Sequence, residues 1–189
     1  MSDAQQLDQS RLVMRRFVES DLERLYALLS ETPEVARTPD ECSMEALTEQ
    51  MSWPGHIPER DRWVVADRAA PERLLGYSSV FKPPTTPRAD LLGVTHPEAR
   101  GQGIGSALLR LALADAVALG AQDATFYVND LDTPVAAWAQ RRGFAPVGAF
   151  TALAAEGERT FPALVWPTGV TIRAWRDAGD IVTLVEASN

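Results

Sequence analysis

Hydrophobic and polar residues alternate over residues 11–17 (RLVMRRF), which predicts an opening strand. Behind it the period lengthens. Ser20 and Glu23 have capping-box spacing, and Leu22, Leu25, Tyr26 and Leu29 recur on one helical face, so a helix burying those four is expected. Pro33 and Pro39 interrupt the chain, residues 44–51 offer a second short helix, and Trp53-Pro54-Gly55 ends it. Strands are expected over 63–66 and 74–81, parted by turn residues 68–71, and the three prolines within 82–88 allow only a loop. A third sheet strand spans 90–95. The helix after it, about 103–119, is apolar nearly all round. Ile104, Leu108, Leu111 and Ala114 share one face and Leu109, Leu113 and Val117 another, so cover on more than one side is expected. Gly120 ends it. A strand over 124–128, a helix from Thr133 that closes at Gly143, and strands over 145–153 and 159–165 complete the pattern. The order is strand, two helices, three strands, helix, strand, helix, two strands. It implies a mixed sheet with helices on both faces, an α/β (α+β) architecture.

Composition narrows the functional classes. The 189 residues, 46% of them hydrophobic, suffice for one core with a short appendage. A formal net charge of -8 argues against a general attraction to nucleic acid or an anionic membrane, and leaves an amine substrate unrepelled. Cys42, the single cysteine, can close no internal disulfide and has no metal-ligand spacing around it. It reads as a small core residue in a reducing, cytoplasmic setting, and no metal is expected. Residues 1–10 (MSDAQQLDQS) lack the apolar run of a signal peptide or membrane span and read as a frayed tail.

The chemistry concentrates in VTHPEARGQGIGSALL, Val94 to Leu109. Glycines at 101, 103 and 105 open a helix directly after a strand, leaving several backbone N–H groups converging on one spot. Aligned peptide dipoles add roughly half a positive charge there, and glycine permits both unusual dihedrals and the close approach of a phosphate. The stretch lacks the Gly-Lys-Ser or Gly-Lys-Thr ending of a nucleotide-triphosphate loop. It also lacks the third glycine of the dinucleotide fingerprint, since position 106 is serine. What remains is Arg100-x-x-Gly103-x-Gly105.

This motif resembles the coenzyme turn of the GNAT acyl-CoA N-acyltransferases, with Pro97-Glu98 before it and Leu108-Leu109 after it as is usual in that family. A second match lies downstream in Asn129, the helix from 133 and the Gly143-Phe144 pair, so the resemblance spans roughly residues 11–166. It implies a mostly antiparallel central sheet in which a splayed pair of strands binds CoA. The cosubstrate would be acetyl-CoA, with no metal, and the acceptor a small-molecule or peptide amine. Amides near Val94 and Thr95 would serve the pantetheine and the thioester carbonyl. Arg100, Gly101, Gln102, Gly103, Ile104, Gly105 and Ser106 would hold the pyrophosphate, with Asn129 also at the coenzyme. Asp90 is the candidate base, if one residue is allowed for a bulge; His96 and Glu98 lie near the turn but read as exposed turn residues. Members often pair through sheet edges, so a homodimer is an expectation of the resemblance alone.

One position departs from the family. Relatives usually carry a tyrosine four residues before the Gly-Phe glycine, where it protonates the leaving thiolate; here that residue is Ala139, preceded by Trp138. A thiol of pKa near 8.5 still leaves as thiolate at pH 7 for about 2 kcal/mol. Tyr127 is a conceivable substitute, although a tyrosine on that strand reads as packing. The departure keeps a second reading open, a degenerate CoA-binding domain that regulates or scaffolds another acetyltransferase domain. A relative that has lost coenzyme altogether conflicts with the intact glycine turn. After a linker at 166–169, residues 170–189 (VTIRAWRDAGDIVTLVEASN) parallel residues 12–31 (LVMRRFVESDLERLYALLSE) with a one-residue gap, Arg173 matching Arg15. Residues 167–189 therefore read either as the opening of a second such domain or as an ordinary closing strand and helix.

Overall fold

The structure, a computed structural model, describes residues 8, 10–32, 43–128 and 133–149, together with 165, 167–169, 173 and 180. The chain divides into two compact units, Met1–Phe150 and Thr151–Asn189. Cys42, Asn129, residues 150–164 and most of the tail lie outside the described residues.

In the first unit the elements run β1 (Leu12–Arg16), α1 (Leu22–Ser30), α2 (Met44–Met51), α3 (Pro58–Asp61), β2 (Arg62–Asp67), β3 (Leu74–Phe81), β4 (Arg88–Thr95), α4 (Ile104–Ala118), β5 (Asp123–Phe126) and α5 (Thr133–Gln140). The five strands form one sheet in chain order, antiparallel from β1 to β4 and parallel between β4 and β5. This is the mixed, mostly antiparallel architecture expected. Residues 145–149, expected in a strand, are in none. Helix α3 was not anticipated, because Pro54-Gly55 reads as punctuation while Pro58 sits at the start of a new turn, where its missing N–H costs nothing.

Strand alternation sends side chains to two faces. On one, Phe17, Leu25, Leu29, Val64, Tyr77 and Val94 form a core under α1 and α2. On the other, α4 lays Ile104 and Leu108 on Val65 and Leu75, and its Ala112 and Ala116 on Val80, Ala89 and Leu91. Only that face of α4 is fully buried. Leu109 and Leu113, of the second face, pack against the third cluster as half-buried neighbours, while Val117 is 73% exposed, so the cover reaches beyond one face but does not include Val117. Gly76 sets how close α4 comes: a Cβ there would stand 2.6 Å from Ile104 Cγ2, closer than any side chain tolerates. Arg16 and the Trp63 indole N–H hold the far end of α4 through Asp115, at 2.6 and 2.8 Å.

The entry to α1 also differs from the Ser20–Glu23 box. Asp21, fully buried, accepts from the Val18 amide at 3.0 Å and from the Arg15 guanidinium at 2.5 and 2.7 Å. On α1 the buried leucines are Leu25, Leu28 and Leu29; Leu22 is partly buried and Tyr26 is 40% exposed.

Candidate active site

The site lies where β4 loses its partner. β4 and β5 pair from Arg88↔Asp123 to Leu91↔Phe126, after which, among the described residues, β4 continues to Thr95 against β3 alone. The opening is visible in burial: Leu92 and Gly93 are exposed although they belong to an interior strand. His96 donates its amide to Leu75 at 3.0 Å, which fixes the alternation of the β3–β4 pair. Residues 92, 94 and 96 then point their amides at β3, and 93 and 95 point theirs into the gap. The Thr95 amide thus faces the gap. The Val94 amide is directed to β3, and the Gly93 amide faces the opening. A glycine interrupting an apolar strand was the available signal for that close approach.

After β4, a short turn over Pro97–Ala99 leads into the glycines. Gly101 and Gly103 have φ of 78° and 81°, left-handed values that cost any other residue about 1–2 kcal/mol. Gly103 is the N-cap of α4, no side chain caps that end, and no acidic residue occupies the first turn. Gly105 faces Thr95 and Trp138, with a would-be Cβ 3.4 Å from Thr95 Oγ1 and 3.9 Å from the Trp138 ring. The turn therefore offers amide donors and the positive end of a fifteen-residue helix, with open space beside Gly101, a fit for a diphosphate. Ile104 presents only its backbone to the turn, since its side chain is core. Gln102 and Arg100 reach back to the Glu98 and Thr95 carbonyls, each at 3.4 Å.

Asp90 lies at the closed end of the gap, where Thr125 donates its hydroxyl to Oδ1 at 2.8 Å. Its strand neighbour across β3 is Phe81, whose ring meets Trp53 edge-on at 5.2 Å. An aromatic wall thus adjoins a half-buried carboxylate on the face that also carries α1 and α2. β4 keeps an unbroken register against β3 over 90–95; the sheet's one irregularity falls between Val65 and Ala66 instead. At about 3.3 Å per residue, Asp90 stands roughly 17 Å along the strand from Thr95.

His96 and Glu98 do not face the gap. His96 is 5% exposed: Nδ1 accepts from the Glu98 amide at 3.2 Å, and Nε2 lies 2.8 Å from a Glu31 carboxylate oxygen and 3.2 Å from the Arg73 guanidinium. Glu98 is exposed and pairs with Arg73 at 2.8 Å, which holds its carboxyl below the usual range. Ala139 is buried and brings no proton donor to the tyrosine position. Tyr127 is 60% exposed just past the end of β5, rather than packed.

The comparisons agree with this geometry. Residues 11–145 match the family model described as an acetyltransferase (GNAT) domain. A mycothiol acetyltransferase of Nocardioides sp. is 35% identical over 157 residues, covering 81% of this chain and 48% of that protein. The chain thus spans about half the length of that curated relative. Among solved structures, a GCN5-related N-acetyltransferase from Sphaerobacter thermophilus has a TM-score of 0.63 at 17% identity, over 75% of this chain and 45% of that one. An aminoglycoside N-acetyltransferase solved in complex with CoA has a TM-score of 0.56 at 14% identity, over 76% of this chain and 93% of that one. With an open β4–β5 pair leading into an uncapped glycine turn, and a family match across both, the chain belongs to the GNAT acetyltransferase domain family.

Proposed function

We propose that the chain binds acetyl-CoA and transfers the acetyl group to a primary amine by direct attack. The observation that carries this reading is the uncapped, acid-free start of α4 at the end of a strand whose outer edge is open. The diphosphate sits on the amides of Gln102 to Ser106, and the pantetheine runs along the open edge, taking hydrogen bonds at Gly93 and Thr95. The amine approaches from the side of Trp53 and Phe81. Its nitrogen forms a bond to the thioester carbonyl carbon while backbone N–H groups hold the developing oxyanion. The C–S bond then breaks, CoA leaves as thiolate, and the nitrogen, cationic after attack, gives its extra proton to water to leave the neutral amide.

An alkylamine of pKa about 10.4 is mostly protonated at neutral pH, so a base must take a proton before attack. Asp90 fills that role, directly or through a water. Asp90→Asn is expected to lower kcat about 100-fold at pH 7, with the KM for acetyl-CoA little changed. The deficit should shrink as pH rises towards the amine pKa. Thiol release measured against pH checks this; an unchanged kcat at pH 7 would remove Asp90 from the mechanism.

Ala139 favours a second reading, a CoA-binding domain that serves a catalytic partner domain. Acetyl-CoA titration and an amine panel read by thiol release separate the two: coenzyme bound but no amine acetylated supports the second. The tail bears on the same question. Arg173 donates to both carboxylate oxygens of Asp180 at 2.6 and 2.5 Å, as Arg15 does to Asp21. The spacing is seven residues in place of six, the one-residue gap that aligns the two segments. That repeated fork supports reading residues 167–189 as the opening of a second domain of the same kind.

A further inference from the structure

A second element reaches the head of α4 from the turn that follows α5. There, half-buried Arg142 donates from Nη2 to Ser106 Oγ at 2.7 Å and from Nη1 to the Trp138 carbonyl at 3.2 Å. Its guanidinium lies 4.3 Å from the centroid of the Trp138 ring, which itself flanks Gly105. Two hydrogen bonds and an aromatic face therefore hold a cation over the first turn of α4.

That is the unfavourable end of a helix for a positive charge. The aligned dipoles already place roughly half a positive charge there, and the usual remedy is Asp or Glu in the first turn. α4 has neither, although the chain carries 26 acidic residues against 18 basic ones. Among the described residues, the groups that hold Arg142 are a hydroxyl, a carbonyl and an indole ring, none of them an anion. The guanidinium is thus preorganised beside converging amide donors, with its counter-charge still to come. Its planar fork suits two phosphate oxygens at once.

We propose that Arg142 is a ligand of the coenzyme diphosphate, closing the turn from the α5 side, with Trp138 and Ser106 positioning it. This rests on the reading that the α4 turn holds acetyl-CoA. The full chain is titrated calorimetrically with acetyl-CoA and with 3′-dephospho-CoA, at low and high salt, as wild type, Arg142→Gln and Arg142→Lys. Absence of wild-type binding would defeat the underlying reading. Given wild-type binding, Arg142→Gln is expected to bind both coenzymes about tenfold or more weakly and to lose part of the salt dependence. Arg142→Lys keeps the charge but loses the fork, and should bind more tightly than Arg142→Gln and less tightly than the wild type. Unchanged affinity in Arg142→Gln overturns the proposal. So does a loss confined to acetyl-CoA, which would place the residue at the 3′-phosphate, or an equal loss in both variants with a fall in melting temperature, which would make the role structural.

Discussion

Ser106→Asp is expected to make the protein more stable and unable to hold acetyl-CoA. Ser106 is the third residue of α4, its hydroxyl faces Arg142, and the first turn contains no acid. A carboxylate there meets the helix dipole and a guanidinium together, worth about 0.3–1 kcal/mol for the dipole alone. The same charge occupies the place of the diphosphate. Two unit charges about 4 Å apart at an effective dielectric of 20 repel by about 4 kcal/mol, and even partial screening leaves a loss of roughly 100-fold in affinity. A thermal melt and a calorimetric titration of one variant check both signs. If the turn were only a tight connection, stability would rise and coenzyme affinity would stay.

The largest expected loss of stability follows Arg15→Met. Asp21 is fully buried, and its carboxylate is held by the Arg15 fork, the Val18 amide and a longer contact to Arg24 at 3.3 Å. Burial pushes that carboxyl up, but Arg15, the Val18 amide and Arg24 outweigh it and hold it below its ordinary value. Removing Arg15 strands a buried charge, costing about 3 kcal/mol, the lower end for such losses because Arg24 remains. That is a large fraction of a typical domain's stability. The pH dependence has a definite sign. A depressed folded pKa means that the wild-type pair contributes fully above the unfolded value near 3.9 and loses its contribution as pH falls through the folded value. The gap between wild type and Arg15→Met should therefore be widest near neutral pH and narrow below about pH 4. Chemical denaturation at pH 7 and pH 3 measures it, and a gap independent of pH would contradict the account of Asp21.

How far the sequence carries depends on whether a feature is local. The glycine turn was legible because dihedral freedom, dipole and missing lysine all sit within seven residues. α2 and β3 were legible to the residue, since Ser43 caps one at Ala46 and turn-forming residues bound the other. The α1 face was not: the apolar spacing picks Leu22, Leu25, Tyr26 and Leu29, and only the helix's seating on β3 buries Leu28 and leaves Tyr26 in solvent. Val117 teaches the same lesson on α4. Gly93 and Arg142 were missed for a different reason. One acquires meaning from the β3–β4 register, which directs its amide into the gap, and the other from the approach of two helices distant in sequence. Asp90 was named from the resemblance; its hydrogen bond to Thr125 across the β4–β5 apex is a tertiary fact.

The central claim is that main-chain amides at the head of α4 grip the coenzyme. Amide resonances of the isotopically labelled protein, followed by NMR during titration with acetyl-CoA, test it most directly. Large shifts and slowed exchange at Gln102, Gly103, Ile104, Gly105 and Ser106, with the strand face under α1 unaffected, are the predicted result. Saturable binding that leaves those five amides where they were would contradict it.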